Sequence, residues 1–137
     1  MLPTVCACNK LRRSARIVSA LYDEALAPSG LSVAQFSLLR MLQRAGPSTL
    51  TQFGAATGYD RTTLNRTLGA LEAAGLVRSC GGEDRRARVV CVTDKGKAAM
   101  RRAQPRWEEV QARIEATLGA DHAALFAILD KVEELRA

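Results

Sequence analysis

The chain has 137 residues, 47% hydrophobic and 25% charged, a composition that fits one globular domain long enough to bury a core. No apolar run is long enough to span a bilayer and the N-terminus lacks a signal-peptide core, so a cytoplasmic location is the default expectation. Aromatic residues make up only 4%, while Ala and Leu dominate, which favours helices.

The formal net charge is +6, and it is unevenly spread. Residues 1–45 carry six basic and two acidic groups, residues 46–97 eight and five, and residues 98–137 six and seven. A basic centre beside a near-neutral tail suits a phosphate-binding face next to an assembly element.

Asn9 to Ala27 reads as a helix, because Leu11, Ala15, Val18, Leu21, Tyr22 and Leu26 recur at three- and four-residue steps. Pro28-Ser29-Gly30 ends it. Ser32 suits the N-cap of a second helix through Arg44, with Gln35 completing a capping box and Phe36, Leu38, Leu39 and Leu42 on the buried side. Gly46-Pro47 breaks that helix. Leu50 to Thr57 forms a third, Gly58 a turn, and Asp60 precedes a fourth helix that opens at Arg61 and ends at Gly75. Leu76 to Cys80 and Ala87 to Val92 alternate as strands joined by residues 81–86. Thr93 caps a long helix to about Leu118, with Asp94 at its positive end, Pro105 expected to bend it and Gly119 stopping it. Asp121 is expected to cap a last helix with Leu125, Ile128, Leu129, Val132 and Leu135 on its apolar side. Two long terminal helices need a burial partner, and a second copy of the chain is the expected one.

This order is a mainly α fold with a small β-hairpin wing: a winged helix-turn-helix, which places one helix in a DNA major groove. The expected organisation is a single domain over 1–137, with a DNA-binding core at 31–93 and dimerisation helices in 1–27 and 94–137. A recognition helix needs short polar side chains and arginine near its N-terminal end, where base edges come closest. Arg61, Thr62, Thr63, Asn65 and Arg66 meet that need. Asn65 suits an adenine edge, Arg66 suits guanine or phosphate, and the two threonines suit phosphate or a thymine methyl. At the hairpin, Arg85 and Arg86 can reach a minor groove or its phosphates, with Asp84 holding one of them and Arg88 adding charge.

The runs Tyr59-Asp60-Arg61-Thr62-Thr63-Leu64, Leu71-Glu72-Ala73-Ala74-Gly75-Leu76-Val77, Asp84-Arg85-Arg86 and Val92-Thr93-Asp94-Lys95-Gly96 together resemble the MarR family of bacterial transcription regulators. So does Leu31 to Phe36 before the second helix. The resemblance implies an obligate homodimer joined by the first and last two helices. It also implies binding of double-stranded DNA at palindromic operators, usually as a repressor, with release by a small molecule or a thiol-reactive signal.

Four cysteines remain. In a cytosolic protein they are expected to be reduced at rest, which disfavours a structural disulfide framework. A hairpin register that sets Val77 opposite Val92 puts Cys80 opposite Val89 and Cys91 opposite Arg78. The sulfurs then share a face but stand two positions out of step, an unfavourable disulfide geometry. Cys6 and Cys8 lie at the start of the first helix, where the dipole and Lys10, Arg12 and Arg13 favour a thiolate. A low-pKa thiol there could react with peroxide, and Cys6 or a partner-chain cysteine could resolve the sulfenic acid. The spacing from Cys8 to Tyr22 is similar to that in the OhrR branch of the family, the organic-peroxide sensors, which implies a Tyr22 contact to Cys8. The branch has a second tyrosine where this chain has Arg12. Three uses of the thiols stay open: structural, oxidant sensing, or binding of a soft metal or metalloid with Cys80 or Cys91 as a third ligand. No cofactor is expected, and His122 is expected at the surface. Trp107 is expected at the dimer junction or in the core, or else lining a ligand cavity.

Two other function classes compete. A winged helix can serve as a protein-interaction module that does not read DNA, a reading the basic hairpin disfavours. An enzyme has little to build on, since there is one histidine, no metal-ligand cluster and no phosphate-cradling glycine loop.

Overall fold

The structure is a computed structural model, and it describes residues 1–81 and 89–136. Helix α1 spans Ala7–Leu26, followed by a short 3-10 turn at Ala27–Ser29 that Gly30 closes with φ +79°. Helix α2 spans Val33–Ala45. Its expected capping box is formed: the Ser32 hydroxyl accepts from the Gln35 backbone N–H at 3.1 Å, and the Gln35 side chain accepts from the Ser32 N–H at 3.0 Å. The start of α2 is also tied to α1, since Val33 N–H donates to Asp23 at 2.7 Å.

Helix α3 spans Leu50–Thr57 with the bounds read from the sequence, and helix α4 spans Arg61–Ala73. α4 therefore stops short of Gly75, which takes φ +74° in the turn that follows. The hairpin strands are β2, Val77–Ser79, and β3, Val89–Val92, shorter than the runs expected. A third strand, β1 at Ser48–Thr49, was not anticipated. It pairs with the far edge of β3, giving an antiparallel sheet of order β1-β3-β2. Two residues are too few for a period-2 pattern to register.

Helix α5 runs Asp94–Leu118 and continues through Pro105, and α6 spans Asp121–Glu134. Asp121 is not the N-cap of α6. That position belongs to Ala120 without a side-chain bond, and Asp121 sits in the first turn, where its charge suits the helix dipole.

The core gathers Leu26, Phe36, Leu39 and Leu42 with Phe53, the Leu64, Leu68 and Leu71 stripe of α4, Val77 and Val90 of the sheet, and Ala99, Met100 and Ala103 of α5. Each fully buried leucine or phenylalanine here contributes about 1.5–3 kcal/mol relative to exposure. The two ends of the chain stay outside this core. On α1, Leu11, Ile17 and Val18 are exposed and only Tyr22 and Leu26 are buried. No residue of α6 is buried, and Leu125, Phe126, Ile128 and Val132 face outward. His122 departs from its expected surface position: it is half-buried, with its ring 5.0 Å from that of Phe126. Among the described residues, no helix is long and apolar enough to cross a membrane.

Candidate nucleic-acid interface

The helix-turn-helix is built from α3, the turn at residues 58–60, and α4. Gly58 ends α3 in the left-handed region (φ +71°), a conformation that favours glycine, and donates its N–H to Gly54 O at 3.1 Å. The two helices pack closely here: a Cβ at Gly54 would meet Leu64 Cδ2 at 3.4 Å, an ordinary contact. Asp60 then caps α4, its carboxylate accepting from the Thr63 N–H at 3.0 Å. Hydrogen bonds from the side chain and then the backbone of Thr63 hold the Asp60 carboxyl below the usual carboxylate range.

The cap fixes what α4 presents. Leu64, Leu68 and Leu71 are buried, which turns Arg61, Thr62, Asn65 and Arg66 to the exposed side. These are four of the five side chains expected to read DNA. Thr63, the fifth, is half-buried, and its backbone N–H closes the cap on Asp60. Asp84, Arg85, Arg86 and Arg88 lie outside the described residues.

The far end of α4 is fastened to α5 by Thr93, the expected N-cap of α5, together with Lys95 and Gly96. The Thr93 hydroxyl donates to Gly75 O at 2.6 Å while accepting the Gly96 N–H at 3.1 Å, and Thr93 N–H donates to Leu76 O at 3.1 Å. Lys95 Nζ donates to Ala74 O at 2.8 Å. Gly96 packs directly on the Leu76 carbonyl, where any Cβ would overlap that oxygen and lie 2.9 Å from Val92 Cγ1. The run from Thr93 to Gly96 thus joins the recognition helix, the root of the hairpin and the start of α5.

The register expected for the hairpin is observed: Val77 opposite Val92 and Arg78 opposite Cys91, with Cys80 N–H bonded to Val89 O at 2.9 Å. The consequence drawn from it needs correction, because Cys80 and Cys91 are joined by a disulfide with their Cα atoms 6.0 Å apart. That separation lies inside the bridging range of roughly 4.4–6.8 Å. In a flat sheet such a diagonal pair would be about 7–8 Å apart, and the strong twist of a short ribbon closes one diagonal. The same bond removes both residues as third ligands for a soft metal. Among the described residues, no three His, Cys, Asp or Glu side chains come together as a metal-binding group.

Cys6 and Cys8 are free and exposed. They line one open hollow with Asn9, Arg12, Arg13 and Arg16, so the basic surroundings expected of them are present. Tyr22 is elsewhere. It stands fourteen residues along the same helix from Cys8, about 21 Å by helical rise. Its hydroxyl donates to Gln111 Oε1 at 2.5 Å and its ring stacks on Trp107 at 6.4 Å. Burial, then the nearby Glu115 charge, push the Tyr22 hydroxyl above its usual pKa. Trp107 packs against the core inside one chain, with Phe36 at 6.1 Å and the Arg40 guanidinium 4.4 Å over its ring.

Comparison with known proteins agrees with this architecture. The MarR family model matches residues 29–87. The M. tuberculosis transcriptional regulator MosR, solved in complex with DNA, is 39% identical, with 95% of this chain and 97% of that one covered and a TM-score of 0.82. The transcriptional repressor CouR bound to a 23-mer DNA duplex is 30% identical over 93% of this chain and 92% of its own, with a TM-score of 0.79. The HTH-type transcriptional regulator YwoH of Bacillus subtilis is 29% identical over 106 residues, 77% of this chain and 72% of YwoH. With a winged helix whose recognition helix turns Arg61, Asn65 and Arg66 outward, and with relatives of this similarity over nearly its whole length, the chain belongs to the MarR family of transcriptional regulators.

Proposed function

We propose that the chain is a homodimeric, sequence-specific DNA-binding repressor released by a thiol-reactive signal. The observation that carries the reading is the two-sidedness of α4: a leucine stripe locked in the core and Arg61, Thr62, Asn65 and Arg66 exposed together on the other side. Each subunit sets this helix into a major groove, and the two helices of the dimer meet half-sites about one helical turn, roughly 34 Å, apart. Arg85, Arg86 and Arg88, with Asp84, are assigned to the adjacent minor groove or its phosphates from their place in the sequence. The exposed apolar faces of α1 and α6 support the second copy, since a contiguous apolar surface on terminal helices marks an interaction site.

Cys6 and Cys8 are assigned to the signal. They are exposed and share an open hollow with Arg12, Arg13 and Arg16, so an oxidant can reach them beside positive charge. Oxidant is favoured over metalloid because, among the described residues, no third cysteine, histidine or carboxylate joins Cys6 and Cys8 in a metal-binding group. Tyr22, bound by Gln111 and Trp107, is assigned to packing within its own chain.

The test is selection of duplexes from a random pool by reduced protein and by protein treated with an organic hydroperoxide. The reduced protein should enrich a palindromic site, and treatment should abolish the enrichment in the wild type but not in Cys8→Ser. Failure to enrich any sequence would overturn the DNA reading, and equal loss in Cys8→Ser would remove that thiol from the mechanism.

A further inference from the structure

We propose that Cys80 and Cys91 form a second redox site, a reversible dithiol–disulfide pair that clamps β2 to β3 independently of Cys6 and Cys8. The inference stands on the hairpin alone and does not depend on the DNA reading. Cys91 lies on β3, the central strand, and Cys80 immediately follows β2, the edge strand. The ladder register puts both on one face of the sheet, while Val77 and Val90 anchor the other face in the core. Joining the sulfurs therefore requires no rearrangement of the buried side. The Cα separation of 6.0 Å already permits the bond.

The surroundings suit reactivity as well as geometry. Both cysteines are half-buried rather than sealed. Arg78 stands directly opposite Cys91 in the ladder, and Lys97 lines the same surface hollow as Cys91. Arg78 and Lys97 set positive charge around Cys91, which assigns Cys91 the attacking role and Cys80 the resolving one. With a hydroperoxide as oxidant, the Cys91 thiolate attacks the terminal peroxide oxygen. The O–O bond breaks, the alcohol leaves with a proton, and Cys91 becomes a sulfenic acid. Cys80 sulfur then attacks the Cys91 sulfur, the S–S bond forms and water leaves. Two thiols are oxidised and one hydroperoxide is reduced to alcohol and water. A dithiol reductant reverses the bond by exchange.

Closure joins residues eleven apart in sequence and restricts the unfolded chain, so it stabilises the hairpin. The test uses the full chain carrying Cys6→Ser and Cys8→Ser, which leaves two thiols. Reduced protein should present two alkylatable thiols. After an organic hydroperoxide it should present none, with the intact mass lower by two hydrogens, a Cys80–Cys91 cross-linked peptide and no covalent dimer on a non-reducing gel. The thermal midpoint should rise by several degrees on oxidation and return with dithiothreitol. Adding Cys80→Ser should abolish the loss of two hydrogens, the cross-linked peptide and the rise in midpoint, because the Cys91 sulfenic acid then has no resolving thiol. Thiols that stay alkylatable, a gain of oxygen mass as sulfinic acid, a disulfide between chains, or an unchanged midpoint after closure would each overturn the proposal.

Discussion

The Lys95 ammonium donates to the carbonyl oxygen of Ala74 at 2.8 Å, so the first turn of α5 closes the C-terminal end of α4. A cation at that end also meets the negative pole of the α4 dipole. Lys95→Ala should cost about 0.5–1 kcal/mol, read as a lower urea midpoint with unchanged slope. A midpoint equal to wild type would show that the contact contributes nothing in solution.

Two effects compete at Gly96. Replacing a helical glycine by alanine ordinarily gains about 1 kcal/mol. Here the new Cβ would overlap the Leu76 carbonyl, and overpacking of this kind costs about 1–3 kcal/mol or more. Since the obstacle is backbone, the clash should win, and Gly96→Ala should lower the thermal midpoint. Stabilisation instead would mean that α5 can slide away from the hairpin root without penalty.

Asp60 gives the stability a pH dependence with a definite sign. Its folded pKa is lowered by the bonds from Thr63, so the unfolded chain binds the proton more readily. The capping contribution is then complete above the ordinary carboxylate pKa near about 4 and is lost as pH falls through the lower folded value. Asp60→Ala should destabilise at neutral pH, and its difference from wild type should shrink in acid. Denaturant titrations of both proteins across that window check this, and a pH-independent difference would contradict it.

Tyr22 carries the opposite sign. Burial favours its neutral form, so stability is full below about pH 10 and falls as pH rises towards the folded pKa. Tyr22→Phe should remove the bond to Gln111 at a cost of about 0.5–1.5 kcal/mol at neutral pH, measured by thermal or chemical denaturation. It should leave peroxide release of DNA intact.

Ile128 is 58% exposed on α6 in the single chain, beside Phe126 at 52%. Burying a charge there is strongly unfavourable unless it is paired. Ile128→Asp should therefore convert a dimer to a monomer in sedimentation velocity while the helical circular dichroism persists. An unchanged sedimentation coefficient would place the dimer contact elsewhere.

The elements most legible in the sequence were those whose end signals and apolar stripes agree. Ser32 with Gln35, Thr93 before α5, and the leucine spacing of α4 each act locally, within one turn. What escaped depends on through-space contact. β1 exists only because Ser48 and Thr49 lie beside Val90 and Val89. The Cys80–Cys91 bond depends on twist, which residue counting along a flat ladder omits. The Thr93, Lys95 and Gly96 contacts join residues about twenty positions apart, and their purpose is visible only once α4 and α5 are side by side. For the interface, the outward set on α4 was readable from periodicity. The half-burial of Thr63 was not, because it depends on how the first turn of α4 lies against its neighbours.

The most direct measurement is a fluorescence-anisotropy titration of a selected palindromic duplex and a scrambled one, across about 50–200 mM salt, for wild type, Arg66→Ala and Arg61→Ala/Arg66→Ala. Wild type should prefer the palindrome and weaken linearly in log–log salt. Arg66→Ala should lose about 1–3 kcal/mol on the palindrome with reduced discrimination, and the double variant should also show a shallower salt slope. A folded double variant that keeps wild-type affinity, preference and slope would contradict the assignment of the exposed face of α4 to DNA.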